Sequence, residues 1–210
     1  MPVFKHLRQS LFEVVIWHIT ENTDHLKQGI ELHPEEKERF QSFKNEVRKR
    51  EFLALRHCLA EIFGKNPKVF YSAEGKPQLE SVGHISFSHT RQYAAVIFSK
   101  QLPVGIDLEC FREGIEKIQS KFIRTEENKT LHPEAKIKHL TAYWGGKEAI
   151  VKIEGNRQLD FKKEIRIQPF LYQQAQSTQA VLLRAGKRTH LTLRFITFPK
   201  FILTYGWRNP

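Results

Sequence analysis

The stretch of sequence that decides the fold is residues 135–154, AKIKHLTAYWGGKEAIVKIE, which we predict to be a long helix that ends at Gly155 and Asn156. Segments that are rich in β-forming residues and separated by polar turns follow it, at 163–172, 178–184, 190–196 and 200–206. The second half of the chain therefore predicts one helix followed by several strands.

The first half of the chain also places a helical region before most of its strands. Residues 34–63 predict one long helix or two consecutive helices, because acidic residues follow a proline in the first turn and apolar residues recur at helical spacing. Gly64 is placed to end this region. Residues 14–19, VVIWHI, predict a short buried strand because apolar and β-branched residues dominate them.

Residues 84–109 predict a three-stranded meander. Alternating and apolar runs are separated there by two turn-like breaks. Each half of the chain thus runs from helix to strands, and the order predicts an α+β protein of two lobes, joined near residues 109–114.

Composition and charge narrow the class of protein. The chain has 210 residues, of which 34 are Lys or Arg and 23 are Asp or Glu, so its formal net charge is 34 − 23 = +11. Apolar residues make up 40%, including 16 Phe, which indicates a folded globular protein and not a disordered basic tail. The excess charge indicates a polyanionic partner: a nucleic acid, an acidic protein or a phosphorylated small molecule.

Several classes are not expected. No apolar run reaches the roughly 18 residues that a membrane span needs, and the N-terminus lacks the apolar core of a signal peptide. Cys58 and Cys110 form no CxxC motif, so we expect two free thiols in a reducing compartment, the cytoplasm. The sequence also contains no P-loop, no GxGxxG and no HExxH motif.

Asp107 and Glu109 are the first candidates for chemistry. They lie two residues apart on a predicted strand, so both carboxylates project from the same face. Carboxylate oxygens at this spacing suit Mg²⁺, which completes its coordination with water and substrate phosphates. On the pattern alone, the solvent-facing side of an ordinary strand is the more frequent explanation.

The predicted helix at 135–154 carries a second set of candidates. Trp144, Glu148 and Lys152 are spaced i, i+4 and i+8, so they share one helix face. A simple explanation is an i,i+4 Glu–Lys pair beside a half-buried tryptophan. Gly145 and Gly146 are unusual in a helix, since each costs about 1 kcal/mol relative to Ala. They allow a close approach of another backbone or a ligand, or else the helix begins only after them.

Three features of the first half are ambiguous on their own. The basic residues between Lys44 and Arg56 have a solvated helix face as their ordinary explanation. Gly75-Lys76-Pro77 reads as a turn, and Ser88-His89 ends a predicted strand, where a lone histidine is usually structural.

Four of these motifs occur together in one order, and this order resembles the 4′-phosphopantetheinyl transferase superfamily. They are GKPQL at 75–79, HISFSH at 84–89, PVGIDLE at 103–109 and YWGGKEAIVK at 143–152. PEEKERF at 34–40 also looks like that family. The length and two-lobed order resemble its monomeric type, which implies a pseudo-twofold arrangement of two similar α+β lobes, 1–110 and 111–210. In each lobe a long helix packs on a small, mostly antiparallel sheet.

The resemblance implies an activity and a set of functional residues. Family members transfer the phosphopantetheine arm of coenzyme A to a serine of an acidic apo carrier protein and release adenosine 3′,5′-bisphosphate. By this resemblance, Mg²⁺ is held by Asp107, Glu109 and Glu148, and the catalytic residues are Glu148 and Lys152. Binding of coenzyme A is implied for Arg39, Lys76, Ser88, His89 and Lys152. Nucleic acid and membrane are not expected as partners.

Two other functions stay open at this point. A basic nucleic-acid-binding domain without catalysis would also explain the net charge and the 16 Phe and 3 Trp, although no basic-aromatic recognition stretch is present. A protein that keeps this fold, has lost catalysis and only binds a carrier is the other alternative. The intact set of Asp107, Glu109, Glu148 and Lys152 argues against it.

Overall fold

The computed structural model describes residues 3–80, 83–172 and 176–210. The chain falls into two compact units, Met1–Gln101 and Leu102–Pro210, whereas the sequence suggested lobes of 1–110 and 111–210. Both units contain helices and antiparallel sheets, so the α+β class predicted from the sequence is confirmed. Among the described residues, no helix combines the length and the apolar character that a membrane span requires.

The first unit packs helices on a four-stranded antiparallel sheet whose strand order is β1-β2-β6-β5. A separate hairpin pairs β3 with β4. Its strands are β1 (Val3–Arg8), β2 (Glu13–His18), β3 (Val69–Tyr71), β4 (Pro77–Leu79), β5 (His84–His89) and β6 (Tyr93–Ser99). Its helices are α1 (Thr23–Lys27), α2 (Pro34–Ser42) and α3 (Glu46–Phe63).

The region at 34–63 forms two helices, and Asn45 lies between them as the cap of the second. Helix α2 ends at Ser42, and the Asn45 side chain accepts a hydrogen bond from the backbone N–H of Val47 at 2.8 Å, which caps the start of α3. At the other end of α3, Gly64 takes a left-handed conformation with φ of 74°, as glycine readily does. Helix α3 packs on β2 and β6 through apolar residues of the first core.

The second unit packs one long helix on a five-stranded antiparallel sheet of order β7-β11-β10-β9-β8. Its strands are β7 (Val104–Cys110), β8 (Ile165–Ile167), β9 (Ser177–Arg184), β10 (Lys187–Thr197) and β11 (Phe201–Arg208). Its helices are α4 (Gly114–Lys117), α5 (Gln119–Phe122), α6 (Thr125–Asn128) and α7 (Lys136–Glu154), with a 3₁₀ turn at Pro133–Ala135.

The meander predicted over 84–109 was wrong at its third strand. Strands β5 and β6 pair with each other, but β7 pairs with β11, whose residues lie about a hundred positions further along the chain. Sequence adjacency favours a hairpin, whereas the backbone of β7 completes the sheet of the second unit. The segment predicted at 163–172 is also shorter, since only residues 165–167 form a strand.

Helix α7 runs unbroken through Gly145 and Gly146 and ends at Gly155, whose φ is 72°. It packs on β7 and β11, where the second hydrophobic core lies. This close packing explains why glycine occupies both positions. A Cβ at Gly145 would lie 2.9 Å from the hydroxyl oxygen of Thr204, and one at Gly146 would lie 2.9 Å from Cδ1 of Ile167. The helix therefore loses intrinsic propensity in exchange for a close approach to the sheet.

Candidate functional site

Helix α7 lies against β7, and the closest approach is at Gly105. A Cβ on Gly105 would lie only 2.1 Å from the main-chain oxygen of Ala149, so the helix backbone rests directly on the strand. Because side chains alternate along a strand, Gly105, Asp107 and Glu109 share the face that meets the helix. Glycine at the first of these positions thus lets the carboxylates at the other two meet the side chains of α7.

Asp107 is buried and pairs with Lys152. The Lys152 Nζ donates a hydrogen bond to Oδ1 of Asp107 at 2.6 Å and another to the main-chain oxygen of Ile106 at 2.8 Å. These contacts join the helix to the strand. The simple explanation from sequence, an i,i+4 pair within the helix, therefore does not account for the position of the Lys152 ammonium.

Glu109 is held by Trp144. The indole Nε1 of Trp144 donates a hydrogen bond to Oε1 of Glu109 at 2.9 Å, while Arg112 lies 3.9 Å from the other carboxylate oxygen. The indole ring packs edge-on against Phe122 and at a tilt against Phe161. The tryptophan is therefore fixed by its neighbours on one side and fixes the orientation of a carboxylate on the other.

The three carboxylates disturb one another electrostatically. Burial, the negative charge of Asp107 and, to a smaller extent, that of Glu148 raise the pKa of Glu109 to about 7, against the opposing effects of Trp144 and Arg112. Burial and Asp107 also raise the pKa of Glu148, although Lys152 and Arg157 oppose the rise. The three carboxylates therefore lie near one another in a half-buried region, and the positive charges close by do not fully offset their repulsion.

This neighbourhood has the chemistry of a divalent-cation site without a formed coordination sphere. Carboxylate oxygens are the ligands that Mg²⁺ prefers, and a cation would relieve the repulsion that raises the two pKa values. Among the described residues, however, no group of three or more His, Cys, Asp or Glu side chains is arranged to hold a metal ion. The structure thus brings Asp107, Glu109 and Glu148 near one another, and Lys152 and Trp144 occupy two of their oxygens.

Lys147 of the same helix has a structural position. It is fully buried, and its Nζ donates to Oε2 of Glu127 at 2.8 Å and to the main-chain oxygens of Phe122 and Phe161. Glu127 also accepts from the backbone N–H of Ile167 at 3.2 Å. The ammonium therefore ties α7 to the segments before and after it, and none of its hydrogen bonds goes to Asp107, Glu109 or Glu148.

The coenzyme-binding residues inferred from the resemblance, apart from Lys152, lie in the first unit. Arg39 at the end of α2 places its guanidinium carbon 3.9 Å from the centre of the Tyr71 ring. The Tyr71 hydroxyl accepts a hydrogen bond from Arg56 at 3.2 Å. Tyr71 pairs with Pro77 across the β3–β4 hairpin, so Arg39 lies beside the strand end that leads into the Gly75-Lys76-Pro77 turn.

The turn itself is formed as predicted. Gly75 has φ of 82°, and its N–H donates to the main-chain oxygen of Ser72 at 2.8 Å. The Ser72 N–H in turn donates to the main-chain oxygen of Lys76 at 2.9 Å. This φ favours glycine, and Lys76 in the turn is half-exposed.

Ser88 and His89 end β5, but they differ in exposure. Ser88 is buried, whereas His89 is half-exposed and belongs to a cluster with two residues of α3. Nδ1 of His89 lies 3.2 Å from Oε2 of Glu51, and Nε2 of His89 contacts Nη1 of Arg48. Arg48 also donates to Oε2 of Glu51 at 3.3 Å. The sequence did not single out Arg48, Glu51 or Tyr71, although the i,i+3 spacing of Arg48 and Glu51 was a signal for their pairing.

The interpretation of 44–56 as a solvated basic face was wrong for Arg56. Its side chain is fully buried, lies 2.6 Å from Glu36 and stacks near the Phe52 ring. A guanidinium can pair with a buried carboxylate and donate to a tyrosine hydroxyl at once, so a basic residue can lie in the core here. Arg48, by contrast, is exposed.

The comparison with known proteins that gave a match concerns residues of the second unit. Residues 103–201 match the family model described as the 4′-phosphopantetheinyl transferase superfamily. The matched segment covers β7 and α7 and thus includes Asp107, Glu109, Glu148 and Lys152. It supports a transferase of this family. A search of curated proteins found no match to the chain.

Proposed function

We propose that this protein transfers the 4′-phosphopantetheine group of coenzyme A to a serine of an acidic apo carrier protein and releases adenosine 3′,5′-bisphosphate. The observation that carries the proposal is the gathering of Asp107, Glu109, Glu148 and Lys152 where α7 rests on β7. These four residues lie within the segment that matches the transferase superfamily.

The reaction is a displacement at phosphorus. The serine oxygen forms a bond to the phosphorus that carries the pantetheine arm, and the bond from that phosphorus to the bridging oxygen of the pyrophosphate breaks. The bridging oxygen leaves with adenosine 3′,5′-bisphosphate, and the serine proton passes to a base. Such a reaction needs positive charge at the phosphoryl oxygens and a base near the serine.

Asp107, Glu109 and Glu148 would hold Mg²⁺ in this proposal. Their mutual repulsion and partial burial support the assignment, since both raise the pKa of Glu109 and Glu148 and a divalent cation would offset both. Bound Mg²⁺ would supply charge neutralisation at the pyrophosphate. Trp144 would keep Oε1 of Glu109 in a fixed direction through its indole N–H.

Glu148 and Lys152 would act on the reacting groups. Glu148 is half-exposed and its pKa is raised, so its carboxylate is a better proton acceptor than an ordinary one, directly or through water. Lys152 already holds one carboxylate and would place its ammonium near the pyrophosphate oxygens.

In the first unit, Arg39, Lys76, Ser88 and His89 would bind coenzyme A. The Arg39 guanidinium beside Tyr71 and the half-exposed Lys76 and His89 support this assignment by their positive or hydrogen-bonding groups at the surface. The proposal includes a monomer with a pseudo-twofold pair of lobes in the cytoplasm, and an acidic carrier suits the formal charge of +11.

A transfer assay tests the proposal. The protein is incubated with coenzyme A, Mg²⁺ and each of several apo carrier proteins, and the carrier is weighed by mass spectrometry. We expect a mass gain of one phosphopantetheine group, which disappears when EDTA removes the divalent cation. No gain on any carrier would contradict the proposal.

Matched variants distinguish the loss of a carboxylate within the candidate site from the loss of one elsewhere in the second unit. We expect Asp107→Asn and Glu148→Gln to lower the transfer rate by about 100-fold or more, since each removes a charge from the site. Glu126→Gln is the control, because Glu126 is an exposed carboxylate of the same unit. Retention on single-stranded nucleic acid that falls steeply with salt and needs no Mg²⁺, without transfer, would favour the nucleic-acid-binding alternative.

A further inference from the structure

The hydroxyl of Thr204 lies where strand β11 packs against helix α7. Thr204 is fully buried, and a Cβ at Gly145 of the helix would lie 2.9 Å from its Oγ1. The same Cβ would lie 3.6 Å from Oδ2 of Asp107. The hydroxyl and the carboxylate therefore face the same glycine from two neighbouring strands.

This hydroxyl is not explained by packing. Among the described residues, Oγ1 of Thr204 makes no hydrogen bond, although it is buried. A buried hydroxyl without a partner lowers the stability of a protein, and an apolar group of the same shape avoids that loss. Since valine has the shape of threonine, the hydroxyl is better explained by a hydrogen bond that it makes in another state of the protein.

Asp107 is the neighbour that can accept this hydrogen bond. In the described sheet, Thr204 is paired with Asp107 of β7 on one side and with Phe195 of β10 on the other. Its neighbours along β11 on the same face are Ile202 and Gly206. Of these four, Asp107 alone has a side-chain acceptor. Side chains that lie directly opposite in an antiparallel pair have Cβ atoms about 5 Å apart, so rotation of the threonine side chain brings its hydroxyl within reach of the carboxylate.

A second hydrogen bond would fix the direction of the Asp107 carboxylate. Its Oδ1 accepts from Lys152 at 2.6 Å, and Oδ2 is the oxygen that faces Gly145 together with Thr204. Carboxylates that bind metal ions are generally hydrogen-bonded by neighbouring groups, which orient them and strengthen binding. Each carboxylate oxygen has two lone pairs, so one hydrogen bond leaves room for a cation.

We propose that Thr204 positions Asp107 for a divalent cation by donating its hydroxyl hydrogen to the Asp107 carboxylate when the cation is bound. The bond then adds to the affinity for the cation and not to the stability of the free protein. This inference rests on the proposed function, which assigns Asp107 to Mg²⁺. Thr204 lies outside the sequence motifs and outside the segment 103–201 that matches the transferase superfamily.

Binding of Mn²⁺ to the full chain tests the inference, because electron paramagnetic resonance measures the free ion and Mn²⁺ substitutes for Mg²⁺ at carboxylate sites. We expect Thr204→Val, which keeps the shape and removes the hydroxyl, to weaken Mn²⁺ binding by about 10-fold. Thr204→Ser keeps the hydroxyl and should retain most of the affinity. In EDTA, the urea midpoint of Thr204→Val should equal or exceed that of the wild type, since a buried hydroxyl without a partner is removed.

Thr178→Val is the matched control in the same unit. Thr178 is also a buried strand residue, but its hydroxyl donates to the main-chain oxygen of Gln168 at 2.9 Å. We therefore expect the opposite pattern, a lower urea midpoint with unchanged Mn²⁺ binding. A purely structural threonine at position 204 would behave like Thr178, so the two measurements distinguish the roles.

A double-mutant cycle tests whether Thr204 acts through Asp107. If it does, adding Thr204→Val to Asp107→Asn has little further effect on Mn²⁺ binding. The inference would be overturned by losses that simply add, by wild-type affinity in Thr204→Val, by equal losses in Thr204→Val and Thr204→Ser, or by a wild-type protein that binds no Mn²⁺.

The transfer assay distinguishes this inference from the proposed function. Mg²⁺-dependent transfer by the wild type, with Mn²⁺ binding that does not depend on Thr204, would overturn the inference and leave the function standing. Mn²⁺ binding that depends on Thr204, without transfer to any carrier, would overturn the function and leave Thr204 as a residue that supports a cation site.

Discussion

The indole N–H of Trp144 donates a 2.9 Å hydrogen bond to Oε1 of Glu109, which connects the long helix of the second unit to a carboxylate of its edge strand. The bond comes from a residue that makes aromatic contacts with Phe122 and Phe161. Packing of the aromatic cluster and the direction of the candidate ligand are therefore linked.

Trp144→Phe removes this hydrogen bond and keeps most of the aromatic packing. We expect the transfer rate to fall by about 10- to 100-fold, the usual effect of losing a residue that orients a metal ligand, with little change in the unfolding midpoint. Steady-state kinetics and thermal unfolding on the same sample measure the two effects. Trp207→Phe, on β11, is the control. An unchanged transfer rate in Trp144→Phe would show that Glu109 needs no such support.

The buried pair of Lys147 and Glu127 predicts a large effect on stability. Lys147→Met leaves the Glu127 carboxylate buried without its partner, so we expect the free energy of unfolding to fall by about 3–5 kcal/mol. Urea unfolding measures it. Adding Glu127→Leu should recover part of the loss, because the unpaired charge is removed. Lys163→Met, at an exposed lysine, should change stability little.

The buried His139 predicts a pH dependence of stability. Burial, together with the charge of His132, lowers the pKa of His139 from its usual 6.5 to about 4. The unfolded chain therefore binds more protons than the folded one between these values. The neutral His139 therefore contributes fully to the free energy of unfolding above pH 6.5. This contribution is lost as the pH falls toward 4, by about 3 kcal/mol at most.

Urea unfolding between pH 4 and pH 7 measures this dependence. His139 stacks on Tyr143, whose own pKa is raised to about 12, chiefly by burial, and so lies outside the window. We expect His139→Phe to flatten the slope because it cannot bind a proton. A slope that stays the same in this variant would assign the dependence to other groups.

The contact of α7 with β7 predicts a graded series of glycine variants. Gly105→Ala puts a Cβ 2.1 Å from the main-chain oxygen of Ala149, so the helix must move, and we expect a loss of about 1–3 kcal/mol together with reduced transfer. A Cβ at Gly145 would lie 2.9 Å from the hydroxyl oxygen of Thr204, which is a less severe overlap than that at Gly105, so we expect Gly145→Ala to have a smaller effect.

Gly114→Ala is the control for this series, because a Cβ there has no neighbour within 4 Å among the described residues. Urea unfolding and the transfer rate are measured for all three variants. Equal stability of Gly105→Ala and Gly114→Ala would contradict the close packing of helix on strand.

Much of the local structure was readable from the sequence. The helix at 135–154 was predicted to within about one residue, and Gly64 and Gly155 ended helices as predicted, since their left-handed conformation favours glycine. Spacing also placed Asp107 and Glu109 on one strand face and Trp144, Glu148 and Lys152 on one helix face. These are consequences of the 2.0 and 3.6 residue periods and need no tertiary information.

Contacts between distant segments could be decided only by the tertiary structure. Strand β7 pairs with β11 and not with β6, because the sheet of the second unit gains a strand whose partner is far along the chain. Local spacing likewise said nothing of the Trp144–Glu109 bond, the Lys152–Asp107 pair or the Arg48–Glu51–His89 cluster.

The sequence by itself determined which residue types were present and which faces they shared, because backbone periodicity is a local property. Tertiary structure decided the environment of each charge. It buried Arg56 and Lys147 against carboxylates and left Arg48 exposed, although all three are basic residues on helices. Burial and partners depend on which elements pack together, and this packing depends on residues that are far apart in the chain and meet within each core.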